Sequence, residues 1–326
     1  MTDFIFISAS DIHISDTPPR SRIDNFKETI LGKISQIAMA CKKLNADAAL
    51  ISGDLFNNKK PSKNSHALTQ CLIKAFHEFP CPVYLIEGNH DLSENRVDSL
   101  SEQPLGVLFA DKTLIQLRET VIEKNGEKLS LVGIPYTEIS DLSELKIPPK
   151  GNCRYQICLL HLYAAPSPGM LFSERIYGYK ELSSLGPNMF VLGHYHIDQG
   201  IQEVNGNHFI NIGSVSRGAL SDEDISHHPQ IAYIKISMDP KNINIDTRPI
   251  KLKVKSPDEI FDIKKREEEK EERKEIEVFV DKLISDSIEK SDSSDKNFSE
   301  ILDGMKTAKD IKDKVLYFLQ EASTKK

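Results

Sequence analysis

At 326 residues, with 39 % hydrophobic and 28 % charged positions, the chain can bury a large core and reads as one large globular domain with something smaller attached. No apolar run reaches the roughly 18 residues of a membrane span, and Phe4-Ile5-Phe6-Ile7 leads straight into polar residues without a basic leader, so neither a membrane segment nor a signal peptide is expected. The net charge of −7 is shared by both parts of the chain, so nucleic-acid binding would need a local patch rather than a basic domain.

Residues 4–9 predict a first strand, followed by Asp11-Ile12-His13, whose i and i+2 side chains converge on one side of an extended backbone. Ile23, Phe26, Ile30, Ile34, Ile37 and Ala38 recur at helical spacing and predict a crossover helix over 23–44. Residues 48–52 form a second strand ending in Gly53-Asp54, and a helix over about 65–79 leads to a third, 82–86. Behind that third strand stands Gly88-Asn89-His90-Asp91. Gly88 allows a sharp turn, Asn89 offers an amide oxygen, His90 a titratable nitrogen, and Asp91 a carboxylate able to hold the imidazole in one tautomer.

From 105 to 150 the pattern is strand and hairpin, with Asn125-Gly126 between Val121-Ile122 and 129–132. A run at 156–160 ends in His161. The Pro- and Gly-rich stretch behind it, carrying Tyr163, Tyr177 and Tyr179, reads as a long loop, either a substrate-facing rim or an irregular connection. Strand 189–192 precedes Gly193-His194-Tyr195-His196, two β segments flank Asn205-Gly206-Asn207, and strands near 231–236 and 243–248 finish the body. The five cysteines (41, 71, 81, 153 and 158) form no Cys-x-x-Cys pair and predict reduced thiols and a cytoplasmic setting.

Asp11, His13, Asp54, Asn89, His90, His161, His194 and His196 thus punctuate five strand ends, which a sheet gathers along one edge. Two carboxylates, an amide oxygen and several imidazoles, without a thiolate, suit manganese, iron or zinc. Seven ligands, His90 aside, exceed one such ion but suffice for two if a carboxylate bridges. A pair of ions about 3.5–4 Å apart can activate water and clamp a phosphoryl group.

In this order, Asp-x-His, Gly-Asp, Gly-Asn-His-Asp, a lone His and Gly-His-x-His resemble the calcineurin-like metallophosphoesterase superfamily over most of 1–250. The resemblance implies an α/β sandwich of two mixed β-sheets with helices on both outer faces. It implies one ion on Asp11, His13, Asp54 and His196 and a second on Asp54, Asn89, His161 and His194. His90 would face the scissile phosphate with Asp91 behind it. Within the superfamily, Gly53-Asp54-Leu55-Phe56 with Pro61-Ser62, and Asn211-Ile212-Gly213-Ser214, are most similar to the SbcD-type nucleases of double-strand-break repair. Two features depart from that group: Asn57 stands where some relatives carry a His tied to exonuclease action, and the pattern of a β-rich DNA-capping domain is not evident after residue 250. Asn57 and Arg217, the latter beside Gly218, are the candidate contacts to DNA.

Residues 251–326 form a separate, charged segment. Residues 264–275 are almost wholly charged, apolar stripes run along 276–284 and 311–319, and a Ser/Asp linker separates them. These predict two amphipathic helices that pack on the body or dock a partner; the resemblance implies an SMC-like coiled-coil ATPase as that partner, DNA as substrate, and room for a homodimer. A small-nucleotide phosphodiesterase or phosphoprotein phosphatase of the same superfamily is the alternative reading, and a non-catalytic scaffold a further one.

Overall fold

The computed structural model describes residues 1–264 apart from 20, 172, 173 and 219, together with 267, 268, 271, 274 and 278. Its contacts divide the chain into Met1–Phe261 and Asp262–Lys326. Both apolar stripes of the C-terminal segment lie outside the described residues, save Val278, which is exposed.

The first third of the body alternates strand and helix: β1 (Thr2–Ala9), α1 (Phe26–Leu44), β2 (Ala48–Ile51), α2 (His66–His77), β3 (Val83–Leu85), α3 (Pro104–Ala110) and β4 (Ile115–Gln116). The middle carries β5 (Glu119–Lys124), β6 (Glu127–Ile134), β7 (Tyr155–His161), β8 (Ala164–Ala165), β9 (Gly169–Leu171), β10 (Glu174–Gly178) and the single turn α4 (Tyr179–Leu182). Then follow β11 (Met189–Gly193), β12 (Gly200–Val204), β13 (Asn207–Asn211), α5 (Asp222–Ser226), β14 (Gln230–Met238), β15 (Ile243–Lys251) and α6 (Pro257–Ile260).

Two six-stranded mixed sheets result, ordered β15-β14-β1-β2-β3-β4 and β12-β13-β11-β7-β6-β5. They pack face to face as the α/β sandwich that the sequence predicts. Alternation along β1 explains why: Phe4 and Phe6 face the second sheet, packing with Leu50, Leu159, Val191 and Ile234, while Ile7 and Ala9 face the helices. Ile30, Ile34, Ile37 and Cys41 of α1 and Leu68, Leu72 and Phe76 of α2 cover that outer face. Cys158, Leu160, Tyr179, Phe190 and Phe209 fill a third cluster on the far side of the second sheet. Strands β7 and β11 are therefore buried on both faces and read as continuous apolar runs.

Local signals act as their chemistry dictates. Asn25 caps α1 by accepting from the Glu28 amide, and Ser65 caps α2 by accepting from Leu68. Asn125 and Gly126 both have positive φ (51° and 82°), the geometry of a tight hairpin between β5 and β6. The supposed loop behind His161 departs from expectation. Strands β8, β10 and β9 make a small third sheet there, its pairs anchored by Tyr177 opposite Ala164 and by Arg175 opposite Met170. Strands of two, three and five residues are too short for a periodicity to show. Gly88 is also not needed for a left-handed turn, since its φ is not positive. A Cβ there would instead overlap the Asp54 carboxylate and backbone nitrogen.

Candidate metal centre

The parallel strands of both sheets end at one edge, and the predicted residues gather there. Asp11 and His13 follow β1, Asp54 follows β2, Asn89 and His90 follow β3, His161 closes β7, and His194 and His196 follow β11. The edges are stitched by backbone contacts. The Asp11 and His13 amides donate to the Gly53 and Asp54 carbonyls (3.2 and 3.0 Å), and the His194 amide donates to both Asp11 carboxylate oxygens (3.0 and 3.3 Å). Gly53 and Gly193 leave room for the His161 ring, against which a Cβ at either position would press.

Two groups of side chains share one residue. Asp11, His13, Asp54 and His196 could hold one cation, and Asp54, His161 and His194 another. Asp54 Oδ2 lies 3.6 Å from His13 Nε2 and 3.4 Å from His161 Nε2. It is buried and has no hydrogen-bond partner. A carboxylate oxygen left bare in the interior is costly, and a cation on either side would satisfy it. Asn89 Oδ1 stands 3.2 Å from His161 Nε2 and joins the second group. In the first group His196 Nε2 lies 3.0 Å from His13 Nε2 and 3.6 Å from Asp11 Oδ1. Asp11, His13, Asp54, His161 and His194 are buried, whereas the His196 side chain is 47 % exposed and marks the open side.

Hydrogen bonds fix which ring nitrogen of each histidine is free. His161 Nδ1 donates to the Ser52 carbonyl (2.7 Å), leaving Nε2 toward Asp54 and Asn89. His90 Nδ1 donates to the Asn57 carbonyl (3.0 Å), leaving its Nε2 free, while its ring packs edge-on to His13 with centroids 4.8 Å apart. His194 Nε2 meets Glu174 Oε2 at 3.2 Å.

Titration follows from these neighbours. Burial pushes the Asp54 carboxyl up, but His161, His13 and His90 outweigh it and hold Asp54 well below the ordinary range. Burial lowers His161, yet Asp54 raises it to about 9. Burial pushes His13 well down and, with His161, lowers His194 to about 2, so both rings stay neutral, as ligation requires.

Two expectations are corrected. Asp91 does not lie behind the His90 imidazole: its carboxylate accepts the Leu55, Phe56 and Gly88 amides (3.2, 3.0 and 3.1 Å) and braces the turns that carry Asp54 and Asn89. It is the Asn57 carbonyl that meets the His90 ring. Arg217 is buried and cannot reach a DNA backbone. It donates to the Lys255 carbonyl (2.5 Å), and its own carbonyl accepts from Arg22.

Sequence reasoning missed Glu174 and Tyr136 and caught Tyr163 only as part of a rim. Tyr163 lies against the His194 ring with centroids 3.9 Å apart, and Tyr136 lies 5.1 Å from His194 and 6.1 Å from His161. A tyrosine just after a strand carries no signal of its own, and Glu174 is brought in only by the small third sheet.

The calcineurin-like phosphoesterase family model matches residues 6–198, more than half of the chain. The chain belongs to the calcineurin-like phosphoesterase family. Metallophosphoesterases of this kind use divalent metals, and the shared-carboxylate arrangement suits them. Over 194 residues the chain is 25 % identical to the DNA double-strand break repair protein Mre11 of Methanocaldococcus jannaschii, covering 57 % of this chain and 50 % of that protein. Over 98 residues it is 29 % identical to the uncharacterized metallophosphoesterase YhaO of Bacillus subtilis, covering 28 % of this chain and 24 % of the relative. The chain thus spans half the length of one curated relative and about a quarter of the other. Among solved structures, a dimetal phosphatase from Danio rerio aligns with a TM-score of 0.45 at 11 % identity, over 77 % of this chain and 99 % of that one.

Proposed function

We propose that this metallophosphoesterase is a DNA nuclease that hydrolyses phosphodiester bonds at a two-metal centre, with manganese the first candidate and iron or zinc the others. The observation that carries the reading is Asp54 Oδ2, a buried oxygen without a hydrogen bond, set between two groups of ligand-bearing side chains. Asp11, His13, Asp54 and His196 would hold one ion, and Asp54, Asn89, His161 and His194 the other. A divalent pair supplies positive charge for a phosphoryl group and lowers the pKa of water.

The chain's own residues supply the rest. His90 is partly exposed, and with Nδ1 tied to Asn57 its Nε2 is the nitrogen left to stabilise charge or give a proton to the leaving oxygen. Asp91 holds the turn that aims it. Lys59, Lys60 and Lys63 follow Asn57 closely, with Lys60 and Lys63 exposed, and offer phosphate contacts on that flank.

DNA as substrate is supported by the likeness to the Mre11 protein, whose name assigns it to double-strand break repair. The further proposal is that the C-terminal segment, 251–326, docks an SMC-like coiled-coil ATPase through its apolar stripes. Manganese-loaded protein should cut linear DNA and slowly hydrolyse bis-p-nitrophenyl phosphate, and chelation should abolish both. Rapid monoester hydrolysis without DNA cleavage, even beside a partner ATPase, would replace the nuclease reading with a phosphatase one.

A further inference from the structure

A cleft of about 290 Å³ opens beside the metal centre, lined by Tyr136, Tyr163, Tyr177, Met170, Glu138 and Glu174 among others. We propose that it seats the unpaired base of the nucleotide being cut, so that the enzyme acts on frayed or single-stranded ends; this rests on the nuclease reading above.

Position comes first. Tyr136 and Tyr163 line the cleft and at the same time touch the His194 ring, so a group in the cleft lies within one nucleotide of the centre. Size is next. The volume is at the lower limit of small-molecule sites, which begin at about 300 Å³, enough for a nucleoside and far too little for a duplex. Chemistry then selects among occupants. Aromatic faces accept any base by stacking. Tyr163 is half-buried and Met170 is 67 % exposed, so apolar surface remains available to a flat ring.

Charge argues against a phosphate in the same place. Glu138 and Glu174 are both exposed there. Arg175 is the one cation among the described lining residues, and it is already engaged by Glu181 (2.6 Å) and the Tyr177 ring (4.7 Å). Carboxylates repel a phosphate but accept the amino hydrogens of a base edge. The backbone then belongs on the His90 side, where Lys60 and Lys63 follow Asn57 in sequence, and the base in the cleft. Reaching it requires the base to leave its stack, which costs least at an unpaired end.

The test uses the manganese-loaded full chain and two ligands that share a phosphate, deoxyadenosine 5′-monophosphate and 2-deoxyribose 5-phosphate. The nucleotide should bind about tenfold more tightly or better, and Tyr163→Ala should close the gap. Equal affinities in the wild type, or no binding of either ligand, would overturn the base seat. A second arm compares single strands with a normal or an abasic nucleotide at the cleaved end. Slower cutting of the abasic strand supports the seat, and equal cutting overturns it while leaving the nuclease reading intact. Should no DNA be cut while the nucleotide keeps its binding advantage, the nuclease reading fails, and the seat stands with a free nucleotide as its occupant.

Discussion

Asp54→Asn offers the sharpest test of the shared carboxylate. The substitution keeps the shape and the Oδ1 acceptor of the His90 amide (2.8 Å) but removes the charge that both ligand groups share. Binding at a hundredfold excess over Kd stabilises a protein by about 2.7 kcal/mol per site. For a body of this size each kcal/mol moves Tm by roughly 2–4 °C. Two filled sites should therefore raise Tm by about 10–20 °C between chelated and manganese-saturated protein, and one site by about half of that. Asp54→Asn should lose nearly the whole shift, because neither group keeps its common oxygen. Asn89→Ala, which touches only the second group, should lose about half. Comparing each variant with its own chelated form cancels any effect on the metal-free fold. Melting curves with and without manganese, backed by elemental analysis of metal per chain, give the readout. A full shift in Asp54→Asn, or a complete loss in Asn89→Ala, would refute the shared-oxygen architecture.

His90→Ala should retain its metals and lose about 10²-fold or more in rate; loss of metal by elemental analysis would make His90 a ligand instead. Glu174→Ala should weaken the second ion about 10–100-fold, since Glu174 holds His194 through Nε2, with Glu174→Gln recovering part of the loss; identical affinities in a chelator competition would deny Glu174 that role. Lys33 is buried, donates to the Val215 carbonyl (2.7 Å), and is pushed down to about 7 by burial and by Arg22 and Arg217. Because the unfolded chain keeps that proton up to roughly pH 10.5, it binds more protons than the fold between about 7 and 10.5, and stability gains with pH across this window. Lys33→Met should thus gain most in Tm over wild type near pH 7 and less by pH 10, and a difference independent of pH would contradict the buried neutral amine.

What could be read from the sequence follows from how each feature is encoded. Buried strands emerge from runs such as 156–160 and 189–192, apolar because both faces are covered, the first followed by His161 and the second by Gly193-His194. Ligand candidates stand out because five strand ends repeat the same punctuation, whereas one polar turn alone is ordinary. Contacts made through the backbone leave no trace of that kind. Nothing in Asn57 announces that its carbonyl binds His90, and nothing in Asp91 separates a turn brace from a catalytic partner. Arg217 was misread because a basic residue beside glycine looks exposed, whereas its guanidinium and carbonyl close a buried network with Arg22 and Lys255. The small third sheet and its Glu174 were hidden by strand length alone.

The backbone at the centre explains why so many residues there have a single solution. Asp11, His13, Asp54 and His194 all adopt positive φ (53°, 49°, 53° and 82°), a region that costs a non-glycine residue about 1–2 kcal/mol. Glycine would relieve each position and deliver no ligand, so the strain comes with the chemistry. It is held by bonds that close the same loops: His13 to the Asp54 carbonyl, Asp11 to Gly53, Ser214 Oγ to the Asp11 carbonyl (2.8 Å), and the Asp91 carboxylate to three amides. Glycines stand at 88 and 193 for the opposite reason, because a Cβ there would collide with Asp54 or the Ser52 carbonyl, and Gly53 for both, with a φ of 92° and the His161 ring where its Cβ would be. Side chains forced into the glycine region and glycines forced by crowding are two sides of one constraint. Five strand ends bring their candidate donors together at one edge, and the loops' own hydrogen bonds hold the bends that this takes.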